Sequence, residues 1–475
     1  MASPSCLCLC LALLLQDAPP KPAPKPDPEI AIEQRLAALV DEAAMQKEVR
    51  ELCRLGPRMG GTASGAKSAE YLRERFSALG LDVRVVEDPA HWCHAESSWS
   101  VVAWQADKQH ALASAWPYGF SPSSKGRAKL TKDSEAGVAL LAERAPRKFE
   151  KQKIPALVLV SGNTTLDGSY PRISHLSEGP DNPAAVFGLA RGDAEWLDQA
   201  LASGETVEIE YALEARIERA SPRTVVARLG ARGSTAAPWS DEHILFCAHG
   251  DSDAGGPGAD DNASGIATLI GIARAWKQAI DMKLVPAPAR EVRFAVWGSE
   301  IFSTKSLLER GDGDGRIIAV LNYDQAGFGS GADQLNIEPD DLPANLPMVK
   351  ILLEVLADHG GKPGFPKQWA TNKSLGGTDS YVFSASKLFK SDARPALTLF
   401  TSAWDSPAEH PRTPGMPGES WRERDKVRVD YDNYYHSAGD TPENTTDKEP
   451  WNLGWCARVG LLAARRTLEA AARGK

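Results

Sequence analysis

The apolar positions of the chain change period twice. Over residues 30–44 and again over about 66–79 they recur at helical spacing, and in the second stretch Ala69, Leu72, Phe76 and Leu79 fall on one face with Gly80 as the stop. From about 114 to 216 the texture becomes short β-like runs, at 156–160, 185–187 and 207–211, separated by Gly, Pro and Ser. Beyond that point the apolar runs 225–229, 244–248, 292–297, 317–321 and 396–400 alternate with helical stretches, and 453–472 reads as a last amphipathic helix. Buried strands joined by long connections predict an α/β fold with a mixed, largely parallel central sheet sandwiched by helices. The stretch 114–216 reads as a β-rich module inserted into that body, which comprises 30–113 and 217–475.

The ends differ from the body. Residues 6–15 form a short apolar run of secretory-signal length, too short to span a bilayer, and 1–18 is expected to be a signal peptide. Residues 19–29 are rich in Pro and read as an extended linker. A secreted or otherwise extracytoplasmic protein is expected, with no membrane association once the leader is removed. The remaining cysteines, Cys53, Cys93, Cys247 and Cys456, have no CxxC spacing; they could make one or two disulfides or stay free and buried, and Cys247, in an apolar run, is expected to be free.

The charge narrows the function classes. With 54 Lys and Arg against 63 Asp and Glu the net charge is −9, the wrong sign for neutralising phosphates, so nucleic acid is excluded as an expected partner. A length of 475 residues and a charged fraction of 25% are those of a large soluble protein. Surplus carboxylates also suit metal binding, which directs attention to where they cluster.

The densest cluster opens just after the run 244–248, with His249, Asp251 and, twelve residues beyond the His, Asp261 in the string Gly-Ala-Asp-Asp-Asn-Ala-Ser-Gly. In open α/β sheets ligands bind beyond the carboxyl ends of strands, which is where these residues fall. A calcium loop is a poor match, because Asn262 stands where a bidentate carboxylate is needed and a strand, not a helix, precedes it. Glu300 follows the run 292–297, Asp324 follows 317–321, and His436 lies in Tyr-Tyr-His-Ser-Ala-Gly-Asp-Thr. Singly each reads as a cap or a surface group. Together two histidines and three carboxylates are a nitrogen and oxygen set suited to zinc.

These motifs, with the early Gly-Pro-Arg-Met-Gly-Gly-Thr, resemble the family-28 zinc exopeptidases, which include aminopeptidases and glutamate carboxypeptidases. The resemblance implies that Asp261 bridges two zinc ions, that His249 and Asp324 complete one site, and that His436 with a glutamate completes the other. It implies that Asp251 accepts the second ring N–H of His249, that the Tyr435 phenol stabilises an oxyanion, and that the loop of Gly376, Gly377, Thr378 and Asp379 approaches substrate. It also implies that the 114–216 module is a protease-associated domain.

The family pattern has two adjacent glutamates, a general base followed by a ligand, whereas this chain has Trp-Gly-Ser-Glu-Ile over 297–301. Counted from Trp297, Glu300 is the base and Ile301 replaces the ligand; counted back from Ser306, Glu300 is the ligand and the base is missing. The second count is slightly preferred because it fills all five ligand positions, His249, Asp261, Glu300, Asp324 and His436. The expected activity is hydrolysis of a terminal peptide bond by a water activated on one or two zinc ions, with peptides or amino-acid conjugates as substrates and aminopeptidase action preferred to carboxypeptidase action. The alternatives are a peptidase-fold binding protein damaged at the Glu pair, for which Ile301 speaks, and a single-zinc amide-processing enzyme such as a glutaminyl cyclase.

Overall fold

A computed structural model describes residues 27–165, 167–233, 242–252, 255–310, 316–329, 334–371, 377–383, 394–401, 416–417 and 434–473. The signal-peptide expectation for 1–18 lies outside them. Of the linker, Pro28 and Glu29 belong instead to the helix Pro28–Ala37, capped by the Asp27 carboxylate on the Glu29 N–H; proline suits a first helical turn because its missing N–H has no partner there anyway.

Two sheets organise the described residues. The larger has the order Asp82–Glu87, Arg223–Leu229, Glu291–Trp297, Glu242–His249, Arg316–Tyr323, Ala396–Phe400, Gln334–Glu338, Gln368–Thr371 and Met416–Pro417. Five of its eight pairings are parallel, and the three middle strands Glu291–Trp297, Glu242–His249 and Arg316–Tyr323 all run the same way. The expected mixed, largely parallel sheet is therefore present, and its central strands are buried along nearly their whole length. The helix Gly265–Asp281 packs Ile266, Leu269, Ile270, Ala273 and Trp276 into the main core, beside residues of the helices Glu42–Arg54 and Trp451–Arg473. Burying each large side chain contributes about 1.5–3 kcal/mol, which is what holds the helix to the sheet.

Local details depart from the sequence expectations. The helix expected over 30–44 is two helices, Pro28–Ala37 and Glu42–Arg54, because the Asp41 side chain accepts the Ala44 N–H at 3.0 Å and starts a new turn there. All four body cysteines are free.

The second sheet has the order Lys108–Ala111, His91–Gln105, Val207–Ala220, Ser124–Thr131, Ala139–Ala142, Leu157–Val160, Ala185–Gly188 and Trp116–Pro117, and the helix Arg191–Ala202 packs on it through Ala194 and Leu197. It starts earlier than the expected boundary at 114. The strand His91–Gln105 pairs along its full length with Val207–Ala220, yet its Ser and Glu residues hide the alternation that marks a half-buried strand.

Candidate metal centre

The three parallel middle strands of the larger sheet end side by side. His249 is the last residue of Glu242–His249, Asp324 follows Arg316–Tyr323 directly, and Glu300 lies three residues past Glu291–Trp297. Among the described residues, His249, Glu300 and Asp324 form a group whose possible ligand atoms all lie within 4.8 Å of one another. The sequence reading that made Glu300 a ligand put it with His436, whereas here its carboxyl joins His249 and Asp324.

Asp261 lies between two imidazoles. His249 Nε2 is 3.1 Å from Asp261 Oδ1, and His436 Nε2 is 3.1 Å from Asp261 Oδ2. One carboxylate thus offers one oxygen to each ring, the geometry a bridging carboxylate needs. His249 Nε2 also lies 3.5 Å from Asp324 Oδ1. Both of these atoms are buried and have no hydrogen-bond partner among the described residues. Buried polar atoms are normally satisfied, so two orphans aimed at each other beside further carboxylates fit the ligands of a cation.

The His249 tautomer follows from its other nitrogen. Nδ1 is 3.0 Å from the main-chain carbonyl of Asp251, which can only accept, so Nδ1 carries a proton and Nε2 is the nitrogen left to face a cation. The expected partner, the Asp251 carboxylate, is farther away at 3.4 Å. That carboxylate instead accepts the Glu300 N–H at 3.0 and 3.3 Å, tying the His249 loop to the Glu300 turn.

The electrostatics of these side chains point the same way. Burial lifts the Glu300 carboxyl well above the usual carboxylate range; His249 pulls against this, and Asp324, Asp379 and Asp261 add to it. Burial disfavours a charged His249, but Glu300 and Asp324 outweigh it and hold the ring well above its ordinary pKa. Burial also opposes ionisation of Asp261, yet the His249 and His436 rings keep it well below the usual range. A buried carboxyl such as Glu300, raised by burial and by its acidic neighbours, is stabilised in its charged form by a bound cation.

The backbone around Asp261 is held by groups the sequence reading did not single out. The Asp440 carboxylate accepts the N–H of Asp260 at 2.8 Å and of Asp261 at 3.0 Å, and burial pushes Asp440 up to about 7. Asp440 stands four residues after His436, inside the same motif. The buried Arg58 donates to the carbonyls of Gly250, Pro257 and Gly258 at 3.0, 3.0 and 2.7 Å, gripping the loop between His249 and Asp261 from both ends. Gly258 has φ +60°, and a Cβ there would lie 2.3 Å from Ser252 Cβ, so the turn requires glycine. Asp379, expected to approach substrate, accepts the Ile301 N–H at 2.8 Å and the Thr304 hydroxyl. Tyr435 stacks on His436 with ring centroids 3.6 Å apart. Gly376 lies outside the described residues.

Residues 224–459 match the model of peptidase family M28, a span that contains His249, Asp251, Asp261, Glu300, Asp324, Tyr435 and His436. A probable leucine aminopeptidase 2 from Arthroderma benhamiae is 27% identical over 402 residues, which cover 79% of this chain and 73% of the relative. The leucine aminopeptidase 2 of Arthroderma otae is 26% identical over 420 residues, covering 82% and 75%. Among solved structures, a zinc aminopeptidase from Bacillus subtilis superposes with TM-score 0.60 at 18% identity, over 91% of this chain and 95% of that one, and shares the fold. The ends of three parallel strands, two histidines facing one aspartate and the matched span agree: over residues 224–459 this chain is of peptidase family M28.

Proposed function

We propose that the chain is a zinc-dependent exopeptidase that removes amino-terminal residues from peptides. The observation that carries the reading is the Asp261 carboxylate, with one oxygen toward His249 and the other toward His436 at 3.1 Å each, inside the span matched by the family. The names of the two leucine aminopeptidase relatives support release from the amino end. The assembled ligand set counts against a peptidase fold kept only for binding, and both relatives count against a cyclase.

His249, Asp261 and Asp324 are the proposed residues of the first zinc position, a three-ligand set that leaves room for substrate. Asp261 with His436 flanks a second position, for which this chain offers fewer protein ligands because Ile301 follows Glu300. Zinc bound there supplies Lewis-acid chemistry, polarising a peptide carbonyl and making water a stronger acid. Glu300, next to His249 and with its pKa raised, is the proposed general base, which takes a proton from the attacking water and delivers it to the leaving amine. This reverses the slight sequence preference for Glu300 as a ligand, because the first position is complete without it. Asp251 holds the Glu300 main chain and the His249 tautomer. Tyr435, stacked on His436, is the proposed donor to the oxyanion.

The apolar run 6–15 supports export with removal of a leader, and the separate sheet over residues 91–220 supports a protease-associated role for the inserted module. Among the described residues no helix is long and apolar enough to cross a membrane.

The deciding experiment uses purified protein with aminoacyl-4-nitroanilides and with N-blocked peptides. Zinc should copurify, a chelator should abolish amino-acid release, zinc should restore it, and amino-blocked substrates should resist. Full activity in metal-free protein would sink the proposal.

A further inference from the structure

His436 lies in a turn that is held from outside. Its backbone has φ +49°, a conformation that a residue with a side chain rarely adopts unless its surroundings impose it. Those surroundings come from the second module. The Arg172 guanidinium donates through Nη1 to the Tyr435 carbonyl at 2.6 Å, and the Ile173 N–H donates to the His436 carbonyl at 2.6 Å. Arg172 and Ser437 form an antiparallel bridge, and the rings of Tyr170 and Tyr434 meet edge to face with centroids 6.0 Å apart.

Arg172 is itself fixed within its module. Its N–H donates to the Asn163 carbonyl at 2.8 Å and its Nε to the Thr164 carbonyl at 3.3 Å. The Asn163 side chain donates back to the Arg172 carbonyl at 3.3 Å. Two consecutive carbonyls, of Tyr435 and His436, are therefore gripped by two consecutive residues of the module. From there the contact chain is short: His436 Nε2 lies 3.1 Å from Asp261 Oδ2, and Asp261 faces His249 through its other oxygen.

We propose that Arg172 is a positioning residue for the metal centre: by fixing the Tyr435 and His436 carbonyls, the inserted module sets the orientation of His436 and, through it, of the Asp261 carboxylate. The module is then a working part of the site and not only an appendage beside it. The proposal rests on the exopeptidase reading for its effect on turnover, but not for its effect on the backbone.

The test compares wild type with Arg172→Met, which keeps the stem and loses the donors, and with Arg172→Lys, which keeps the charge on a single donor nitrogen. Arg127→Met, on an exposed pair with Glu208 in the same module, is the control. In Arg172→Met, hydrogen exchange should speed up over 434–440 and stay at the wild-type rate over 242–249. Its kcat should fall about ten- to a hundredfold, as for residues that orient metal ligands, with KM within about twofold. Arg172→Lys should recover part of kcat, and the control should match wild type. Wild-type exchange over 434–440 in Arg172→Met would overturn the proposal, as would a kcat loss that Lys does not relieve and that comes with faster exchange over 242–249. If wild type releases no amino acid, the exopeptidase reading falls, and the exchange comparison still decides whether Arg172 fixes the His436 loop.

Discussion

The Ile301 N–H donates to the Asp379 carboxylate at 2.8 Å, so the residue directly after Glu300 is anchored to the site by its main chain. Ile301 sits at φ +58°, and a β-branched side chain in such a conformation costs about 1–3 kcal/mol. The Thr304 hydroxyl binds the same Asp379 oxygen, and burial pushes Asp379 up to about 7. Asp379→Ala removes the acceptor that holds the turn, and should lower kcat about ten- to a hundredfold. Asp379→Asn keeps an acceptor oxygen and should retain most of the activity. Initial rates with zinc content measured in parallel check this, and equal rates for Ala and wild type would refute it.

Glu300→Gln separates base from ligand. As the general base, Glu300 should be dispensable for zinc, so the variant should keep wild-type zinc content while kcat falls by about 10²–10⁴. Metal analysis of the dialysed variant beside its kinetics gives the answer, and loss of zinc would return Glu300 to the ligand role.

Arg58→Met should destabilise the protein by about 3 kcal/mol or more, since hydrogen bonds to a buried charged group are each worth about 1.5–3 kcal/mol. Three carbonyls of the loop from Gly250 to Gly258 lose their donor together. A lower urea midpoint at unchanged slope would show it. A shift below about 1 kcal/mol would mean that these carbonyls find other donors.

His243 sets an acid limit that has nothing to do with catalysis. Burial, aided by Arg293, lowers its pKa from 6.5 to about 3. Because the folded value lies below the unfolded one, the unfolded state binds more protons between these pH values. The stabilising contribution is complete above pH 6.5 and is lost as pH falls toward 3. Between pH 6.5 and 5 this amounts to about 2 kcal/mol. In zinc-free protein, Tm should therefore fall more steeply over that interval in wild type than in His243→Leu, and parallel curves would show that His243 is protonated in the folded state.

Much of the larger sheet could be read from the chain because its strands are buried on both faces. Continuous apolar runs at 244–248, 292–297 and 317–321 leave little room for another reading, and the polar residues just past them fall at strand ends. The strand His91–Gln105 could not be read in this way: one partner, Val207–Ala220, covers it along its whole length, its exposed positions 97, 98 and 100 all carry Ser, and a half-buried Glu96 precedes them. Arg58 and Asp440 stood inside quoted motifs, but their role is to bond main-chain groups, and such partners leave no spacing signature.

The sequence by itself determined the chemistry on offer: His249, Asp261, Glu300, Asp324 and His436, the strand ends that carry most of them, and the family to which they belong. Only the tertiary structure decided which groups face one another. It put Glu300 with His249 and Asp324, turned the Asp251 carboxylate to the Glu300 N–H, and brought Arg172, from a stretch between strands of the second sheet, to the carbonyl beside His436. The physical reason is that residue types and strand periodicity are written locally, whereas the partner of a main-chain carbonyl is set by where distant segments meet, here across 263 positions between Arg172 and Tyr435.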